Sequence, residues 1–123
     1  MKKIGLILLI LVIGYLIAAN AIQGTATGTT TATYVAGADV YTADHEDLLF
    51  IIRNTGSDST MYYKAWGYAL NGGTIYEEFV SETALACTTS TTIKISNTAY
   101  ANVEIYVKDN SGHTTYQIDY TLK

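Results

Sequence analysis

Hydrophobic and polar positions divide the chain into three stretches. From Ile4 to Ile22 the run IGLILLILVIGYLIAANAI is apolar on every side of a helical projection, and no charged residue occurs between Ile4 and Ala38. These 19 residues, at a helical rise of about 1.5 Å each, give roughly 28 Å, close to the hydrocarbon thickness of a bilayer. A helix over 1–22 is therefore predicted, and its lack of a polar stripe sets it apart from the core helix of a globular domain. Residues 23–38 are uncharged and rich in Thr, Gly and Ala, which fits either a linker arm or an edge strand. Beyond residue 39 the pattern becomes that of a β-domain. Leu48-Leu49-Phe50-Ile51-Ile52 is short and apolar on both faces, as in a central strand. Ile93 and Ile95 point away from Thr92, Lys94 and Ser96; Val103, Ile105 and Val107 oppose Glu104, Tyr106 and Lys108; Tyr116, Ile118, Tyr120 and Leu122 oppose Thr115, Gln117, Asp119 and Thr121. Such alternation marks half-buried strands.

Turn chemistry punctuates these runs. Asn54-Thr55-Gly56-Ser57-Asp58 supplies a turn, Asn71-Gly72-Gly73 closes a hairpin, and Asp109-Asn110-Ser111-Gly112 is expected to close another. Asp39 to Asp47 reads as a solvated acidic loop. Strands are expected at 28–36, 47–53, 60–70, 74–81, 90–96, 102–108 and 114–122. Seven strands with Trp66 on the third predict a mainly β fold, an immunoglobulin-like two-sheet sandwich over 39–123 behind one N-terminal hydrophobic helix.

Composition supports the β reading: the chain has no proline, 11 tyrosines and long threonine runs. Lys2 and Lys3 flank the apolar segment, and the next basic residue is Arg53, so the N-terminus is expected to start in the cytoplasm and the rest to be exported to the cell surface or beyond. The segment fits a retained anchor, a signal peptide cut after Ala19-Asn20-Ala21, or a prepilin leader ending at Lys2-Lys3-Ile4-Gly5. The exported part holds 5 basic residues (Arg53, Lys64, Lys94, Lys108, Lys123) against 11 acids, a net charge of 5 − 11 = −6. That balance excludes a nucleic-acid partner, which needs clustered Lys and Arg.

Candidate chemistry is sparse. Cys87 is the only cysteine, so it is either a buried thiol or an interchain link. Asp39, Asp44, Glu46 and Asp47 offer hard oxygen ligands for calcium, yet their spacing matches no known loop, and a solvated loop explains them as well. His45 and His113 lack a third zinc ligand. Glu77 and Glu78 point to opposite faces of a strand and cannot flank one bond. No nucleophile elbow, metalloprotease helix or phosphate loop occurs, so neither catalysis nor a cofactor is expected. Lys64, Lys94 or Lys108 with an asparagine and a buried acid would suit an intramolecular isopeptide bond, for which the sequence gives no register. The aromatic stripe of Tyr62, Trp66, Tyr68, Tyr76 and Tyr106 is either a binding surface or sheet packing.

The segment Leu48 to Ser57, a strand running into Asn54-Thr55-Gly56, resembles the element found in small β-sandwich modules of archaeal surface proteins, archaellins and type IV pilin-like subunits. Thr88 to Ile95 and Val103 to Gly112 are similar to the later strands of such modules. The resemblance implies a surface or filament role. A structural filament subunit is expected to assemble as a homo-oligomer through its N-terminal helix (Leu6, Leu9, Ile13) or through the arm (Thr29, Thr31, Thr33). A membrane-anchored accessory or viral envelope protein, and a secreted carbohydrate-binding module, are the alternatives.

Overall fold

The computed structural model describes residues 22–97 and 99–123, which form eight strands: β1 (Ile22–Thr29), β2 (Val35–Tyr41), β3 (Leu48–Asn54), β4 (Met61–Tyr68), β5 (Tyr76–Leu85), β6 (Ser90–Ile95), β7 (Asn102–Lys108) and β8 (Thr115–Leu122). The helix expected over 1–22, with Leu6, Leu9 and Ile13, lies outside the described residues except for Ile22, which opens β1.

The topology is that of one long hairpin rolled upon itself. β4 and β5 form its tip, and outward from there β3 pairs with β6, β2 with β7 and β1 with β8, all antiparallel. Rolling adds two further ladders, β3 with β8 and β4 with β7. The products are a front sheet, β1-β8-β3-β6, and a back sheet, β2-β7-β4-β5. Eight strands nested in this way make a jelly roll. The immunoglobulin-like expectation is thus corrected: only β4 and β5 are consecutive strands paired within one sheet, and every other connection crosses between sheets. The hairpin expected at Asp109 to Gly112 is such a crossing. Its turn chemistry is real, since Asp109 accepts hydrogen bonds from Ser111, Gly112 and His113, but β8 leaves it to pair with β1 and β3 in the other sheet.

Two corrections concern the first third of the chain. The single strand expected at 28–36 is the end of β1, a connection and the start of β2. Asp39, expected in a loop, sits within β2 opposite Glu104. The later strands fall close to the expected ranges.

The core lies between the sheets and is built from the alternating residues. Phe50 and Ile52 of β3, Met61 and Ala65 of β4, Val103, Ile105 and Val107 of β7 and Ile118 of β8 are fully buried. β3 lies between β8 and β6, and its other apolar pair, Leu49 and Ile51, is half-buried on the outer face. No buried side-chain nitrogen or oxygen among the described residues lacks a partner; Asn54, for example, donates to the Ser59 and Leu85 carbonyls and accepts from Thr114. Because an unpaired buried polar group is costly, these bonds fix where the loops meet the core.

The antiparallel registers also define two ends. Ile22, Leu122, Leu48 and Ile95 are neighbours at one end of the front sheet, and Tyr41, Asn102, Tyr68 and Tyr76 at one end of the back sheet. Hydrogen bonds from Thr42 to Ala101, from His45 to Thr42 and from Glu46 to Lys123 tie these into a single end. It is called the leader end, because residues 1–21 precede Ile22 there.

Candidate interaction surfaces

On the outer face of the back sheet, every second residue of β4 and β7 is large, because the inner positions are taken by the core. Tyr62, Lys64, Trp66 and Tyr68 from β4 meet Glu104, Tyr106 and Lys108 from β7 and Tyr76, Glu78 and Glu82 from β5. Trp66 is stacked on Tyr76 at 4.1 Å between ring centroids and 14° between planes, and lies 4.7 Å from Tyr106. The Lys64 ammonium sits 4.5 Å from the Trp66 centroid and 4.4 Å from that of Tyr34. Four aromatic polar tips donate to carboxylates. Trp66 Nε1 donates to Glu78 at 2.8 Å, Tyr34 OH to Glu82 at 2.7 Å, and Tyr68 OH to Glu104 at 2.7 Å, with Tyr106 OH donating to the same Glu104 oxygen.

These contacts raise the phenols and lower a carboxyl. Burial, and then the hydrogen bond to Glu82, raises the Tyr34 phenol above its ordinary value. Burial and the bond to Glu104 do the same to Tyr106. Burial also raises Tyr68, outweighing the opposite pull of the Tyr106 hydroxyl, and the bond to Glu104 adds to the rise. Hydrogen bonds from Tyr34 and then Lys108, 3.0 Å away, hold Glu82 below the usual carboxylate range. The face is a lattice of rings, lysines and carboxylates that satisfy one another. Trp66, with Tyr76 on it and Lys64 over it, is engaged by the protein's own groups, which disfavours it as a sugar-stacking platform.

Threonine dominates the outer face of the front sheet. Thr25, Thr27 and Thr29 of β1 stand opposite Asp119, Gln117 and Thr115 of β8, with Arg53 of β3 and Thr92 and Lys94 of β6 completing the face. Asp119 is its hub, accepting from Thr25 at 2.8 Å and from Gln117 at 2.9 Å and lying 3.3 Å from Arg53. Hydrogen bonds from Gln117 and Thr25, helped by Arg53, lower its carboxyl. Among the described residues no aromatic ring lies on this face, because the tyrosines of β8, Tyr116 and Tyr120, point inward.

Those two tyrosines explain β1. Gly24 pairs with Tyr120 and Gly28 with Tyr116, and the rings fold across the glycines. A Cβ at Gly24 would lie 2.2 Å from the Tyr120 ring, and one at Gly28 would lie 2.5 Å from the Tyr116 hydroxyl. Aromatic side chains covering glycines of an edge strand pack it without side chains of its own. β1 accordingly has no buried residue and, among the described residues, pairs with β8 alone and leaves its other backbone edge unpaired.

The structure separates other residues that the sequence grouped. Thr29 ends β1, whereas Thr31 and Thr33 belong to the connection after it, where the Thr31 hydroxyl donates to the Thr33 carbonyl at 2.7 Å. Asp39 accepts from Asn102 at 2.6 Å, while Asp44, Glu46 and Asp47 lie in the β2–β3 connection. His45 is at the leader end and His113 at the far end. No three His, Cys, Asp or Glu side chains converge as a metal site among the described residues. Glu78 turns to Trp66 and Glu77 to Tyr100, the opposite orientation expected of adjacent strand residues. Lys108 faces Glu82 and Lys64 faces rings, so neither is poised on an asparagine. Cys87 is half-buried in the β5–β6 connection. Sequence reasoning missed Tyr34 and the three carboxylates of the back face; the shared side of Glu104, Tyr106 and Lys108 was the available signal.

No family model matches the chain, and no curated protein matches it in sequence. Solved structures do share its fold. A subunit of Bacillus endospore appendages, described as disulfide-linked pili, aligns with a TM-score of 0.57 at 12% identity over 83% of each chain. The Yersinia pseudotuberculosis-derived mitogen aligns with a TM-score of 0.50 at 17% identity, covering 85% of this chain and 86% of its own. At such identities the likeness establishes the β-sandwich fold, shared with bacterial proteins of different roles.

Proposed function

We propose that this chain is a structural subunit of an extracellular filament or similar surface assembly, joined by exchange of β1 between copies. The observation that carries the reading is the one-sided attachment of β1. This strand pairs only with β8, contributes no buried side chain, and follows directly on the apolar N-terminal segment. The slot it fills is lined by Tyr116 and Tyr120 of β8, so the same strand from a neighbour makes the same ladder and the same ring-on-glycine contacts. Exchange of an identical element joins copies without requiring a new interface. Thr30 anchors the base of the strand, its N–H and hydroxyl both reaching the Thr114 carbonyl, and β1 would swing from that point.

The occurrence of this fold in a pilus subunit supports the reading, as do the apolar export segment and the absence of catalytic signatures in the sequence. The role is structural and homo-oligomeric, outside the cell, with membrane contact confined to residues 1–21. Helix packing through Leu6, Leu9 and Ile13 is the rival contact within the same function. The register pair Thr27 and Gln117 separates the two. In a Cys87→Ser chain carrying Thr27→Cys and Gln117→Cys, oxidation after assembly should give a disulfide-linked ladder on a non-reducing gel. Monomers alone, each closed by its own disulfide, would reject strand exchange.

A further inference from the structure

The large apolar side chains exposed among the described residues are Ile22 (48%), Tyr41 (51%), Leu70 (70%), Ile75 (76%) and Tyr76 (50%). All five lie at the leader end. The two most exposed, Leu70 and Ile75, project from the β4–β5 connection, and no charge occurs from Ala69 to Tyr76. That connection is a braced turn: Gly73 N–H donates to the Leu70 carbonyl at 2.9 Å, and Gly72 takes a φ of 72° that suits glycine. Leu70 and Ile75 therefore form a fixed apolar knob.

At the same end, on the front sheet, lies a largely apolar groove of about 250 Å³ floored by Leu48, Leu49 and Ile95. At about 30 Å³ per liquid water it would hold roughly eight waters, room for two four-carbon side chains. Lys94 and Lys123 edge the groove beside Asp47, and neither lysine makes an ion pair among the described residues. The knob is flanked by the exposed carboxylates Glu77 and Glu78. Size, polarity and charge are complementary, but knob and groove lie on different sheets of one copy.

We propose that the Leu70–Ile75 knob of one copy seats in the Leu49–Ile95 groove of a second copy, the exposed carboxylates of Glu77 and Glu78, still accepting from Tyr100 and Trp66, giving the knob an acidic flank against the Lys94 and Lys123 edge. Each seated contact leaves one knob and one groove free, so the interaction is heterologous and propagates beyond the dimer, into a ring or an open chain according to the rotation between copies. The inference rests on the reading of the chain as a self-assembling subunit. It uses no residue of β1, so it stands or falls separately from strand exchange.

The test uses the full chain with Cys87→Ser. One preparation carries Leu70→Cys and another Lys94→Cys; mixed and oxidised, they should yield mainly mixed disulfide pairs, and a chain carrying both changes should yield a ladder. Like-with-like pairs only, or a doubly substituted product that stops at the dimer, would overturn the proposal. As a second measure, Leu70→Asp with Ile75→Asp, both at exposed positions, should weaken self-association in sedimentation by about tenfold or more. Unchanged association overturns the contact. Filaments that form without the knob–groove ladder would remove this contact and leave the filament reading standing. A ladder from chains that show no β1 exchange would do the reverse for strand exchange.

Discussion

The outer faces of the two sheets share one backbone architecture and differ in almost everything else. The back face carries Trp66, stacked on Tyr76, together with Tyr34, Tyr62, Tyr68 and Tyr106, and the polar tips of Trp66, Tyr34, Tyr68 and Tyr106 donate to carboxylates. Short hydroxyls, one ion pair and the half-buried Leu49 and Ile51 make up the front face, whose tyrosines are turned inward to pack on glycines. The contrast separates stability from exchangeability. Large interlocked side chains make the back face expensive to disturb, whereas the edge strand of the front sheet is held by backbone and borrowed rings.

Alkali should break the contrast most severely, because several phenols act together. Tyr34, Tyr68 and Tyr106 on the back face are held protonated above the ordinary value of 10.0, and Tyr100 at the leader end is pushed up to about 12 by burial and its bond to Glu77. The unfolded chain loses these protons first. Their contribution to stability is therefore complete below the ordinary phenol value of 10.0 and falls as pH rises through the window toward about 12. Denaturant midpoints measured on either side of that value, with phenolate absorbance followed in parallel, should show this fall. Flat stability across the window would mean the lattice is not what protects these groups.

Next in size is Trp66→Ala, which removes the stack on Tyr76 and the Lys64 contact and leaves Glu78 without its donor. A loss of about 2–3 kcal/mol is expected, against about 0.5 kcal/mol or less for Thr27→Ala on the front face. Equal values in urea unfolding would erase the distinction between the faces.

Gly24→Val sharpens the other half. Its Cβ would fall within 2.2 Å of the Tyr120 ring, so a cost of about 1–2 kcal/mol is expected as the ring or the strand shifts. Amide exchange should quicken in β1 and stay unchanged in β4 and β7. The smallest effect is that of Arg53→Ala: its side chain is 47% exposed, so its pairing with Asp119 should contribute about 0.5 kcal/mol, and added salt should remove the difference.

Strand content was legible because alternation is a local property. Val103, Ile105 and Val107 announced their burial by sharing one side of a strand, and Asn71-Gly72-Gly73 announced the hairpin of β4 and β5. β1 was harder to read. Gly24, Ala26 and Gly28 look like a linker because their packing partners, Tyr116 and Tyr120, lie more than eighty residues away. The same non-locality hid the back face: Tyr62, Trp66, Tyr68, Tyr76 and Tyr106 formed a visible stripe, but the carboxylates that complete it come from β5 and β7 only once those strands flank β4.

The sequence alone determined an apolar segment of membrane length, an acidic domain behind it, and β-strands with a defined inner and outer side. Tertiary structure decided which strands became neighbours. A strand with one apolar side satisfies its hydrogen bonds with any comparable partner, so alternation cannot choose between an immunoglobulin-like arrangement and a rolled hairpin. The choice comes from closing all the ladders at once around a single core. That closure also gathers Ile22, Tyr41, Leu70, Ile75 and Tyr76 at one end, a clustering with no counterpart in their order along the chain.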